Sequence, residues 1–70
     1  MSSYEVIKSI DKFGVKWYTL SILNFDVYAW VMQQPLSSRK VIDMFSWSGA
    51  TVEVNEQLFT FFLLKWTPSS

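Results

Sequence analysis

Seventy residues make one small domain, 1–70, yet half of them are hydrophobic and 19% are aromatic. A chain this short buries only about 60% of the surface it exposes when unfolded, so its apolar supply exceeds what one core readily absorbs. Six basic and six acidic residues cancel, and neither cysteine nor histidine is present. That composition disfavours a general phosphate-backbone binder and removes disulfides, thiolate metal sites and the commonest general base near neutral pH.

The opening "MSSYEVIK" has no basic region followed by an apolar run, so no secretory signal is expected. Residues 2–14 read as an amphipathic helix. Ser2 and Glu5 have capping-box spacing, Val6, Ile7, Ile10 and Phe13 share one face, and Gly14 stands past the end. The rival, a strand running into "DKFG", alternates poorly because Val6 and Ile7 are adjacent. "VKWYTLSIL", residues 15–23, is β-branched and aromatic and reads as a strand. "NFD" offers a turn, and residues 26–33 follow as a returning strand, with a short helix capped by Asn24 as the alternative. "QQPLSS", residues 33–38, separates the halves.

The second half echoes the first. "SSYEVIKSIDKFG" aligns without a gap on "SSRKVIDMFSWSG", residues 37–49, at an offset of 35. The second copy is read as a helix too, with Val41, Ile42 and Phe45 on its apolar side. "ATVEVN" alternates as a strand, "NEQ" turns, and residues 58–66 return as the last strand before the frayed tail "TPSS". The expected fold class is α+β, an αββαββ duplication with pseudo-repeats 2–34 and 37–67. It is a helix-hairpin-helix-hairpin whose four-stranded antiparallel sheet carries both helices on one face.

Carrying the phase of Val52 and Val54 through the offset puts Trp17 and Thr19 toward the helices as well. Val27, Ala29, Val31, Phe62, Leu64 and Trp66 join them there, against Val6, Ile10, Val41 and Phe45. The other sheet face then carries Tyr18, Leu20, Tyr28, Trp30, Met32, Phe59, Phe61 and Leu63, with Ile22 beside them. A solvated antiparallel face would alternate apolar with polar, so this one is expected to bind a partner.

Catalytic signals are missing. No serine sits in a nucleophile elbow, no phosphate-cradling glycine motif occurs, and Glu53 and Glu56 have no ligand spacing around them. No enzyme, cofactor or metal is expected. The longest uncharged stretch, residues 27–38, falls short of the roughly 18–20 residues that span a bilayer, so no transmembrane segment is expected. The sequence therefore points to a small non-enzymatic protein-binding module that uses an aromatic sheet face and also dimerises. Neutral, motif-free domains of this size suit viral or plasmid accessory inhibitors of a host protein, in the cytoplasm of the host cell. The alternatives are a nucleic-acid binder using the same aromatics and a modest patch of Lys8, Lys12, Lys16, Arg39 and Lys40, or a structural subunit of a larger assembly.

Overall fold

The computed structural model describes residues 3–66. The cap expected at Ser2 and the tail expected at 67–70 lie outside them. The chain runs β1 (Tyr4–Lys12), β2 (Val15–Ile22), α1 (Phe25–Met32), a 3₁₀ turn (Leu36–Ser38), β3 (Arg39–Ser46), β4 (Gly49–Asn55) and α2 (Glu56–Lys65). The four strands form one antiparallel sheet in the order β1-β2-β4-β3. The α+β class and the sheet are as expected, but the element order is ββαββα.

Both expected N-terminal helices are strands, and a local irregularity explains why. Register shifts fall between Val6 and Lys8 and again between Val41 and Asp43. Ile7 and Ile42 are therefore bulge residues, and the adjacent "VI" pairs that spoil the alternation are those bulges. The glycines have a second explanation too. Phe13 and Gly14 both have positive φ, 51° and 81°, in a two-residue loop joining Lys12 to Val15. Two positive φ values are the mark of a type I′ hairpin turn. Gly49, at φ 96°, closes the second hairpin, where Ser46 pairs with it.

Residues 26–33 and 58–66 are not strands; they lie chiefly in the two helices. Asn24 accepts a 2.7 Å bond from the Asp26 N–H, and Asn55 accepts a 2.9 Å bond from the Leu58 N–H. Each asparagine thus satisfies an orphan donor at a helix start. Each helix then buries one residue three places after its cap and another four places later. These are Val27 and Val31 on α1, and Leu58 and Phe62 on α2. The far end of α1 is held from β3. Arg39 donates from Nε to the Gln34 carbonyl at 2.9 Å and from Nη2 to the Met32 carbonyl at 3.0 Å. A guanidinium there satisfies late carbonyls and suits the negative end of the helix dipole.

Both helices cover the same sheet face. Leu20 and Ile22 of β2 and Val52 and Val54 of β4 join Val27, Val31, Leu58 and Phe62 in one core. Cross-strand partners share a face, and Leu20 pairs with Val52 while Tyr18 pairs with Val54. Trp17 and Thr19 therefore point away from the helices, contrary to the phase carried through the offset. An odd offset inverts the side-chain parity of a strand, and the actual β2–β4 register preserves it. Of the other expected core residues, Leu64 and Val6 are exposed and Ile10 pairs with Trp17 on the far face.

Candidate interaction surface

The eight residues expected on one sheet face do not share one. Tyr18 and Leu20 lie on β2 and face the helices, where Leu20 is wholly buried and Tyr18 stacks on Phe59 with ring centroids 4.0 Å apart. Tyr28, Trp30 and Met32 lie on α1 and pack partly against the core. Phe59 does the same from α2. Only Phe61 and Leu63, also on α2, keep large exposed side chains. An aromatic sheet face thus becomes an aromatic helical layer, because the hairpin returns on which it rested are helices.

That layer is apolar on its outside as well. Phe25, Leu36, Phe61 and Leu64 are all more than half exposed. Phe25 is braced by Tyr28 and by Phe45 of β3, at 6.3 Å and 5.4 Å between centroids. The charges on α1 and α2 are confined to Asp26, Glu56 and Lys65, one near each helix start and one at the end of α2. A groove of about 320 Å³ runs between the 3₁₀ turn and α2, with Pro35, Leu58 and Phe61 along it and Gln34 and Gln57 beside them. Among the described residues no charged one lines it.

The opposite sheet face is mostly polar, with the Ile10–Trp17 pair as its apolar part. One row of cross-strand neighbours reads Lys8, Thr19, Glu53, Lys40 across all four strands. Glu53 is buried, and its Oε1 accepts a 2.7 Å bond from the Lys12 ammonium. The Lys12 nitrogen also sits 5.4 Å from the centre of the Trp17 ring, so this side chain lies across the face rather than projecting from it. Glu5, Ser21, Thr51 and Asp43 form the next part of that face. Of the basic residues considered as a patch, Lys8, Lys12 and Lys40 lie here and are interleaved with Glu5, Glu53 and Asp43. Lys16 pairs with Asp11, and Arg39 is engaged at the end of α1. Glu53 and Glu56 do not act together. The first is under the lysines, and the second is exposed in the first turn of α2. Among the described residues no group of three or more acidic, histidine or cysteine side chains could hold a metal ion, and no helix is long and apolar enough to cross a membrane.

The hairpin tips are the surface features that sequence reading missed. Phe13 and Trp47 are fully exposed, at 104% and 99%. Each sits in the loop before its second strand, and β2 and β4 run antiparallel, so the two tips are at opposite ends of the sheet. "FG" between two strand-like runs was the available signal, masked by reading Gly14 as a helix end. The chain matches no protein-family model, no curated protein and no solved structure.

Proposed function

We propose that this chain is a non-enzymatic protein-binding module that acts through the apolar outside of its helical layer. The small size, zero net charge and lack of motifs are what favour the role of a viral or plasmid accessory inhibitor of a host protein in the cytoplasm. The observation that carries this reading is an imbalance. Among the described residues thirteen large hydrophobics are exposed, whereas nine hydrophobics are buried. Scattered apolar residues are ordinary, but Phe25, Phe61, Leu63 and Leu64 of these thirteen lie on the two helices, whose only charges are Asp26, Glu56 and Lys65, and an apolar surface so short of charge suits binding. Aromatic side chains give such a surface its largest contact area per ordered side chain.

The duplication read from the sequence belongs to the same proposal. Each half runs strand, strand, helix, each first strand bulges at its "VI" pair, and each helix begins at an asparagine cap. Two related halves would present similar elements about a pseudo-twofold axis between β2 and β4. Nucleic-acid binding is the weaker reading, because the lysines of the polar sheet face are interleaved with carboxylates and Lys12 is already paired with Glu53.

Affinity capture with wild-type protein beside Phe61→Glu and Leu64→Lys tests the reading. Both side chains are mainly exposed, so the variants should keep the far-ultraviolet spectrum and melting behaviour of the wild type while losing its captured partner. Equal capture by all three proteins would remove the helical layer as the binding surface. Salt-sensitive retention on a single-stranded oligonucleotide, lost in Trp17→Ala, would favour nucleic acid instead.

A further inference from the structure

Phe13 is costly where it stands. Its φ of 51° lies in the left-handed region, which bulky side chains rarely adopt and which asparagine or glycine fills with less strain. Among the described residues nothing covers the ring to offset that cost, because the residue is fully exposed. Its neighbour Gly14 has nothing within 4 Å of where a Cβ would stand, so the tip projects into open space. A strained, exposed aromatic that contributes nothing to its own fold points to a contact made outside it.

The tip also lacks charge at its apex. Phe13, Gly14 and Val15 are uncharged, and Val15 is exposed. Lys12, which precedes them, is drawn back over Trp17 to Glu53 at 2.7 Å. The groove beside α2 matches this chemistry, since Pro35, Leu58 and Phe61 form its apolar part and its other lining residues are uncharged amides and hydroxyls. At about 320 Å³ it is near the lower end of ligand-pocket sizes, which suits one large side chain.

Finger and groove occupy the same end of the molecule. Trp17, just after the tip, pairs with Asn55, and the groove residues Gln57 and Leu58 follow immediately. Pro35 leads through the 3₁₀ turn to Arg39, which pairs with Val54 at that same end. Placement at one end is what a closed twofold contact needs, because a single rotation then seats both fingers in both grooves.

We propose that two copies of this chain form an isologous dimer in which Phe13 of each copy inserts into the groove between Pro35 and α2 of the other. The inference rests on the protein-binding reading and names a second copy as an occupant of that surface. Trp47 lies at the far end and takes no part.

Sedimentation velocity across a wide concentration range tests it. Wild-type protein should shift from monomer to dimer. Phe13→Asn keeps a residue suited to the left-handed turn, so it should melt no lower than wild type while associating at least about 30-fold more weakly, the loss typical of an aromatic hot spot. Phe61→Ser should weaken association from the groove side. Mixing labelled Phe13→Asn with labelled Phe61→Ser should restore a heterodimer, because one intact finger still meets one intact groove. A wild-type monomer at every concentration, undiminished association of Phe13→Asn, or no heterodimer in the mixture would each overturn the proposal. If a captured partner is nonetheless lost in Phe61→Glu, the protein-binding reading stands and only the dimer falls.

Discussion

Phe13 and Gly49 both have positive φ, yet substitution at the two should act in opposite directions. Replacing Phe13 by asparagine relieves left-handed strain and should raise stability by about 1 kcal/mol, read as a higher urea midpoint. Alanine at Gly49 adds a Cβ that would stand 2.6 Å from the Ile22 carbonyl oxygen, a backbone atom that cannot step aside. That change should cost about 2–3 kcal/mol, whereas alanine at Gly14, in open space, should cost only about 1 kcal/mol. The Lys12–Glu53 pair is a second residue-scale test. Lys12→Met leaves a buried carboxylate without its cation and should cost about 1–3 kcal/mol. The double change to Met at Lys12 and Glu53 should recover most of that loss in the same urea titration, because replacing both partners removes the unpaired charge.

At the scale of elements, the caps mark where each helix begins and the buried face supplies most of its stability. Asn24→Ala and Asn55→Ala should each cost about 1 kcal/mol, measured as a lowered thermal midpoint. Removing the Phe62 ring should be far more severe. It is wholly buried at the centre of an aromatic group, 4.6 Å from Tyr4 and 6.0 Å from Trp30 between centroids. Phe62→Ala should cost about 3–5 kcal/mol, comparable with the whole stability of a domain this small. A loss of cooperative melting by tryptophan fluorescence would show it. The helices are also where the sequence was hardest to read. "QLFTFFLLKW" contains buried Leu58 and Phe62 at helical spacing, but Phe61, Leu63 and Leu64 are apolar and exposed. With nearly every position apolar, neither period stands out, and the run looks like a strand covered on both faces. The strands were obscured for the converse reason. One register shift in β1 and two in β3 break the two-residue alternation, and the adjacent apolar pairs they leave imitate a helical face.

For the whole molecule, the sheet separates two chemistries. The outside of the two helices is apolar with charges only near their ends, whereas the open sheet face interleaves lysines and carboxylates, with Ile10 and Trp17 beside them. Charge reversal should therefore affect association very unequally. Leu64→Lys on the helical layer should abolish partner capture, while Lys40→Glu on the open face should leave it within a factor of about two. Titration of the captured partner by surface plasmon resonance would check both, and equal effects would contradict the division of labour between faces. The edge strands β1 and β3 carry bulges and charges, which discourage sheet-to-sheet aggregation.

The sequence by itself determined the α+β class, the antiparallel sheet, the punctuation at Gly14, Gly49 and residues 33–38, and an excess of apolar side chains over core volume. Those follow from composition and local turn chemistry, which need no partner in space. It also showed the likeness of residues 2–14 to 37–49 at an offset of 35, without saying which segments were strands. Only the tertiary structure decided that the "VI" segments pair as bulged edge strands. The same pairing made Asn24 and Asn55 begin helices and placed Leu20 in the core while leaving Phe13 bare at a tip. The physical reason is that burial belongs to the pairing register. Leu20 and Val52 become neighbours only when β2 and β4 align, and an inversion of parity would send each to the other face.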